Sequence, residues 1–278
     1  FAKASYKLYD RYLLGASFRV DGSSRFGKDN RYGAFPAASI GWIISEEEFL
    51  RNSSAINFLK LRASYGKTGN AEIGNFSSRS LFEAAAYADI SGLIASQLGI
   101  PALSWEKTNQ FDIGLDFGFA NNRISGEIDY FDKETNDLLF DVPTPAVNGF
   151  STITKNIGSM RNRGWEFVLN GTILDGPFRW TASVNISTYV NKVTKLVVPV
   201  PPQSRTLGRL AEGQPFGQFY GLKYAGVDPA NGDALYFKKD GTKTNDVSEA
   251  EDMIVGNPNP DYYGGINTRF SYNGFDLD

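Results

Sequence analysis

The chain has 278 residues, with 28 basic against 31 acidic side chains for a formal charge of -3, no cysteine and no histidine. These absences exclude a disulfide framework, a thiolate metal site and any Ser-His or Cys-His catalytic pair, and the balanced charge gives no basic footprint for nucleic acid. Aromatics make up 14% of the residues and glycines number 29, as suits long strands joined by turns; no run approaches the ~18 apolar residues of a spanning helix, which leaves membrane-spanning strands open.

Phe1 opens the chain inside an alternating pattern, without a leader or a start methionine, and Asp278 ends it a few residues into another, so the sequence reads as a segment of a larger protein. Residues 1–8 and 12–21 flank a short turn at Asp10 and Arg11. In the second arm Tyr12, Leu14, Ala16, Phe18 and Val20 oppose Gly15, Ser17, Arg19 and Asp21. A polar loop over about 22–30 leads to an arm over 31–45, which places Tyr32, Ala34, Ala38, Ile40, Trp42 and Ile44 together and contains Pro36, awkward in an ordinary central strand. Residues 46–57 form a connection with one helical turn expected around Glu46, Glu47, Glu48, Phe49 and Leu50. Its adjacent acids read as a charged, hydrated link, since paired catalytic carboxylates must flank one bond across a cleft. Leu59, Leu61, Ala63 and Tyr65 then alternate with Lys60, Arg62 and Ser64.

The stretch 108–138 is the clearest hairpin. Phe111, Ile113, Leu115, Phe117 and Phe119 share one face and Asp112, Gly114, Asp116 and Gly118 the other; after a turn at Asn121 and Asn122, Ile124, Ile128 and Tyr130 oppose Ser125, Glu127 and Asp129. Each arm is about ten or more residues, twice the ~5–6 usual in globular proteins. Further on, Trp165, Phe167 and Leu169 oppose Glu166 and Asn170, and Phe178, Trp180, Ala182, Val184 and Ile186 oppose Arg179, Thr181, Ser183, Asn185 and Ser187. Connections alternate between short ones, near Asp10, Asn121, Asp175-Gly176-Pro177 and Asn273-Gly274, and long ones over about 70–104, 139–155 and 193–261. Long strands with one apolar and one polar face and this loop asymmetry predict an all-β, antiparallel transmembrane β-barrel segment with long extracellular loops.

Tyr12, Trp42, Trp105 and Trp180 are expected in interfacial aromatic girdles. The polar face, with Lys60, Arg62, Asp112, Asp116, Glu127, Asp129, Arg179 and Asn185, is expected to line a wet lumen. In the long loops Tyr87, Trp105, Phe150, Phe216, Phe219 and Tyr220 offer flat faces for a ligand or a covering partner. Asp228, Asn231 and Asp233 are spaced like part of a calcium loop, but the remaining ligand positions are unmatched, so no metal and no cofactor is assigned. The proline-rich run 197–202 reads as a rigid loop segment.

Several motifs, in order and over essentially the whole chain, carry a resemblance. Leu14-Gly15-Ala16-Ser17-Phe18-Arg19-Val20-Asp21-Gly22-Ser23-Ser24-Arg25-Phe26-Gly27, then Tyr32-Gly33-Ala34-Phe35-Pro36-Ala37-Ala38-Ser39-Ile40-Gly41-Trp42, Leu59-Lys60-Leu61-Arg62-Ala63-Ser64-Tyr65-Gly66-Lys67-Thr68-Gly69-Asn70 and Trp105-Glu106-Lys107-Thr108 resemble the SusC/RagA family of TonB-dependent outer-membrane transporters of Bacteroidetes. Asn156-Ile157-Gly158-Ser159-Met160 with Asn162-Arg163-Gly164-Trp165-Glu166 is similar to the family's recurring strand start, and Gly213-Gln214-Pro215-Phe216-Gly217 and Gly256-Asn257-Pro258-Asn259-Pro260 to a long extracellular loop and the strand after it.

The resemblance implies a monomeric barrel of 22 strands with a plugged lumen, of which residues 1–278 supply about ten, without the plug domain or the TonB box. It implies uptake of oligosaccharides or peptides, a SusD-like surface lipoprotein as lid, energy from the TonB complex through parts outside these residues, contact with outer-membrane lipid, and no enzymatic step. The lumenal charges would then also grip the plug. A soluble or surface β-rich glycan-binding module is the competing expectation. It requires strands of ordinary length, a mixed inner core and no lipid-facing band. Because barrel closure removes sheet edges, the segment is not expected to fold stably alone.

Overall fold

The computed structural model describes residues 1–87, 90–145, 147, 149–197 and 209–278, with the side chain of Tyr87 outside that description. The proline-rich run, apart from Val197, also lies outside the described residues. Strands β1 (Ala2–Leu8), β2 (Tyr12–Gly22), β3 (Tyr32–Ile43) and β4 (Ile56–Asn70) are followed by a small hairpin, β5 (Leu81–Tyr87) and β6 (Ile90–Gln97). After β7 (Glu106–Phe119) and β8 (Ile124–Asn136) comes a second hairpin, β9 (Leu139–Pro143) and β10 (Thr152–Asn156). After β11 (Gly158–Leu174) and β12 (Phe178–Leu196) come five short strands, β13 (Phe219–Leu222), β14 (Tyr224–Val227), β15 (Ala234–Phe237), β16 (Lys243–Thr244) and β17 (Asp252–Gly256), and then β18 (Tyr262–Tyr272) and β19 (Phe275–Leu277).

The long strands form one ten-stranded antiparallel meander, β1-β2-β3-β4-β7-β8-β11-β12-β18-β19, in which every sheet neighbour is the next long strand along the chain. Its longest members, β11 and β12, run 17 and 19 residues. The link from β1 to β2 centres on Tyr9 and Asp10 (φ 50° and 57°), one residue before the expected turn, and that from β18 to β19 on Asn273 and Gly274 (φ 47° and 85°). Paired left-handed residues match the twist of the flanking strands. Ala120, Asn121 and Asn122 are all left-handed at the β7–β8 turn, and Asn57 Oδ1 holds it by accepting the Asn121 N–H at 2.5 Å. The helical turn expected at 46–50 starts two residues earlier, as a 3-10 turn over Ile44–Glu46. Pro36 lies one position beyond the last β3–β4 pair, Ala37 with Gly66, where no ladder bond to β4 is needed.

Register sorts the side chains into two faces. Following the pairs outward from Leu61 gives Trp42, Leu115, Ile128, Phe167 and Ile186 on one face, and following them from Lys60 gives Asp116 and Glu127 on the other. The apolar face is bare: Leu14 is 48% exposed, Ile40 61%, Phe167 41% and Ile266 80%. Among the described residues no second sheet covers it. The accessible surface, 18138 Å², exceeds by about half the ~12,000 Å² that a globular chain of 30.6 kDa would expose. On β12 the outward column from Phe178 to Thr188, apolar as far as Ile186, spans about ten residue steps, which at ~3.3 Å each and a strand tilt near 40° makes about 25 Å, the height of an outer-membrane barrel's lipid band.

The buried apolar residues lie elsewhere, in two clusters at the end of the sheet that carries the long loops. One joins Phe26, Phe35, Leu103 and Trp105; the other joins Leu138, Val142, Ile157, Val193 and Leu210.

Candidate functional site

The inner face of β4, β7 and β8 is a connected set of charges. Lys60 Nζ reaches Asp116 at 3.1 Å, and Arg62 binds Asp116 at 2.8 Å, Asp129 at 2.6 Å and Glu127 at 3.4 Å. Arg62 faces Gly114 across the strand pair, and Gly114 faces Asp129 on the next. A Cβ on Gly114 would lie 2.1 Å from Asp129 Oδ1 and 2.7 Å from Arg62 Cζ, so the glycine is what lets the guanidinium cross one whole strand. Asp112 takes hydrogen bonds from Ser64 Oγ at 3.2 Å and Gln110 Nε2 at 2.8 Å. Beside this set lies a concavity of about 750 Å³ whose walls include Lys3, Lys7, Ser17, Ser39 and Arg62. A face of mostly half-buried, ion-paired charges with an excess of carboxylates and hydroxyls around them can hold water or another polar protein segment; it holds no nucleophile–base pair.

Five of the eight expected lumenal residues, Lys60, Arg62, Asp116, Glu127 and Asp129, are therefore in one network, with Asp112 beside it. Arg179 and Asn185 share the inner face but stand on β12, two strands beyond β8, exposed, opposite Ser271 and Gly265.

At the long-loop end the expected ligand aromatics divide. Trp105 is a correction: at 7% exposed it is neither a girdle residue nor a ligand-facing one. Its ring packs between Phe26 (5.3 Å) and Phe35 (5.5 Å), and its Nε1 donates to the Arg31 carbonyl at 3.3 Å. The inward-pointing Phe35 needs two glycines to fit, since a Cβ on Gly69 or Gly33 would come within 2.1 or 2.5 Å of its Cζ. Phe216 is exposed at 41%. Phe219 and Tyr220 are half-buried on β13, with Arg209 stacked 4.2 Å over the Tyr220 ring. Phe150 is half-buried and lines, with Asp141, Glu83 and Gln97, a polar cleft of about 350 Å³ between the β5–β6 and β9–β10 hairpins. The side chain of Tyr87 is among those not described. Among the described residues, these aromatics do not converge on one pocket.

In the acidic loop, Asp228 Oδ1 accepts the Ala230 N–H at 2.9 Å, and Asp233 takes Asn231 Nδ2 at 2.7 Å and Asn245 Nδ2 at 3.0 Å. These carboxylates close their own turns. Lys238 and Thr244 bind Glu249 and hold its carboxyl below the usual range, the lysine contributing most.

One connection carries more than its sequence suggested. Glu47, expected to be hydrated, accepts from Arg11 Nη1 at 2.6 Å, the Tyr12 hydroxyl at 2.7 Å and Trp42 Nε1 at 2.9 Å. The Tyr12 and Trp42 hydrogen bonds, with Arg11 beside them, hold its carboxyl below the usual glutamate range. The signal available in the sequence was the pairing of Tyr12 with Trp42 in adjacent strands, whose polar tips need one common acceptor.

A family model described as TonB dependent receptor-like, beta-barrel, matches residues 1–274. The chain is 36% identical over 326 residues to TonB-dependent receptor P39 of Formosa agariphila, covering 99% of the chain and 31% of that protein. It is 42% identical over 207 residues to TonB-dependent receptor SusC of Bacteroides thetaiotaomicron, covering 70% of the chain and 20% of SusC. The solved RagAB peptide transporter superposes with a TM-score of 0.90 at 34% identity, over 99% of this chain and 32% of that one. The chain thus spans about a third of the length of P39 and of the RagAB chain it matches.

Proposed function

The chain belongs to the TonB-dependent receptor-like β-barrel family of the outer membrane, and from that premise we propose that it forms part of the wall and the outer loops of a SusC-type nutrient importer. Its short turns face the periplasm and its long loops the exterior, its outward face meets lipid, and its inner face lines the lumen and contacts a plug supplied by the rest of the protein. The observation that carries this reading is the register itself. Ten strands put an apolar band of membrane height on one side and a hydrogen-bonded charge network on the other, and a soluble glycan-binding module has no use for that pairing.

Large hydrophilic solutes cannot cross hydrocarbon, so the wall's task is to present polar groups along the lumen and to seat a removable obstruction. The half-buried network around Arg62 does both, because its ion pairs hold one another in place and leave polar edges, such as Glu127 at 54% exposed and the unpaired Asp129 Oδ1, for a plug segment or water. We assign substrate and lid contacts to the loop aromatics Phe150, Phe216, Phe219, Tyr220 and Tyr87. The substrate class is oligosaccharide or peptide, captured with a SusD-like lipoprotein and released on a pull from TonB; likeness to SusC and to a peptide transporter supports this class. No catalytic step is assigned to the chain.

The test is affinity purification of the intact parent protein from outer membranes, with mass spectrometry of the proteins and small molecules that accompany it. A surface lipoprotein together with a retained oligosaccharide or peptide is the expected result. A parent found in the soluble fraction would overturn the reading.

A further inference from the structure

Above the lipid band, the outward face of β8 and β11 changes character over one residue step, while the same row keeps Phe111 on β7 and Val190 on β12. On β8 and β11 the topmost aromatic pair is Tyr130 with Trp165, ring centroids 5.1 Å apart. The next outward positions are Asp132 and Arg163, then Glu134 and Arg161, and β12 continues that last row with Lys192. Ser159, one step higher, faces Lys195. The same row extends across β7 and β4 through Asn109 to Lys67. Arg161, Arg163, Lys192 and Lys195 are all exposed. Among the described residues, Arg161 is the one of the four with an ion-pair partner, the carboxylate of Asp132.

This arrangement is costly within the chain. Arg161 and Lys192 sit directly opposite each other on antiparallel strands, a like-charge pair that destabilises a sheet, and Arg163 stands on the same face two residues below Arg161. A charged position on the outer wall needs no such crowding to stay hydrated; neutral Asn109 serves in the same row. Resting on the membrane orientation proposed above, Arg163, Arg161 and Lys192 lie two to four residue steps beyond Trp165, about 5–10 Å past the aromatic girdle after strand tilt, and Lys195, level with Ser159, about 15 Å past it. The first three stand at the depth of lipid headgroups.

We propose that Arg161, Arg163, Lys192 and Lys195 form a binding site on the barrel's exterior for the phosphorylated headgroup of an outer-leaflet lipid, whose acyl chains lie against Trp165, Phe167 and Leu169 below. The phosphate supplies a further anion between the opposed Arg161 and Lys192, beyond the one that Asp132 gives Arg161, guanidiniums bind it in two-pronged fashion, and the aromatic column continues the contact into the hydrocarbon. Asp132 holds Arg161 upright on this face and, by its charge, moderates the affinity.

The test uses the full-length parent protein purified from outer membranes in a neutral detergent and exchanged free of endogenous lipid. The probes are an acylated glucosamine disaccharide carrying one phosphate and its phosphate-free analogue, titrated by native mass spectrometry. Preferential binding of the phosphorylated probe is expected, and the triple variant R161Q/R163Q/K192Q should weaken it on the order of a hundredfold while leaving the phosphate-free analogue unchanged. Asp132→Asn should tighten it several-fold, a gain that misfolding cannot mimic. Equal affinity for both probes, or an unaffected triple variant, would overturn the site. Full displacement by millimolar inorganic phosphate would reassign it to free anions and so overturn the lipid assignment. A parent that never fractionates with the outer membrane fails the functional reading instead, a result distinct from any of these.

Discussion

The wall and the long-loop end of this molecule solve opposite problems. In the wall, Leu14, Ile40, Phe167 and Ile266 are bare along strands whose partners are all backbone neighbours, so no side-chain core forms there. At the loop end Leu103, Ile157 and Val193 reach 0% exposure although they lie in or beside connections. Each region has the burial expected of the other in a soluble protein. The difference teaches that the wall's apolar residues are buried by the bilayer, whereas the loops, standing in water, must bring their own core. That core sits against the tips of the strands, through Phe35 on β3 and Val193 on β12, so loop order is anchored to the wall.

The sharpest way to break this comparison is to remove the centre of a loop core. Trp105→Ala deletes a buried ring packed on two phenylalanines and a hydrogen bond to the Arg31 carbonyl, and is expected to cost about 3–5 kcal/mol locally. In the full-length protein the barrel should still insert and keep its heat-modifiable migration on gels, while the segments around 22–30 and 70–104 become open to limited proteolysis. If insertion failed along with loop order, the two regions would be one cooperative unit.

A smaller effect is expected from the wall. Leu169 lies midway along the outward column of β11, opposite Val184, and Leu169→Arg should cost about 2–4 kcal/mol of membrane insertion at mid-depth, read as a lower urea midpoint for refolding into vesicles. The adjacent Val168 points inward, opposite Asn185, so Val168→Arg should be nearly neutral. Equal costs at both positions would mean that the assigned faces are wrong.

The wall was the legible part of the sequence. Period-two alternation at Leu59, Leu61, Ala63 and Tyr65, and at Phe111 to Phe119, is set by the pleat alone, so each face follows from residue parity. What alternation could not convey was anything depending on contacts between distant segments. Trp105 looked like a girdle residue because it opens a strand, but its place is decided by Phe26 and Phe35, some seventy or more residues earlier in the chain. Gly114 looked like a neutral member of a polar face; that it is the gap through which Arg62 reaches Asp129 appears only once three strands are in register. The β5–β6 hairpin within the first long connection is short and mostly exposed, so it faces no core that would impose a clean alternation.

The Glu47 anchor, at the opposite end of the wall from the loop cores, tests a third kind of stabilisation, and the smallest. Hydrogen bonds from Tyr12 and Trp42, with Arg11 alongside, lower its pKa from the ordinary 4.5. A carboxyl whose folded pKa is depressed contributes stability that is complete above its unfolded pKa and is lost as pH falls through the folded one. Between neutral pH and about pH 3 the full-length protein should therefore lose more thermal stability than Glu47→Gln does, and the two should converge at the acid end. The shift belongs to the short-turn interface alone, so tryptophan fluorescence from Trp42 should follow it while protease access to the long loops does not change. A constant gap between the two proteins across that range would mean that Glu47 acts through its shape and neutral hydrogen bonds. The tips of Tyr12 and Trp42 would then be held in the interface without help from its charge.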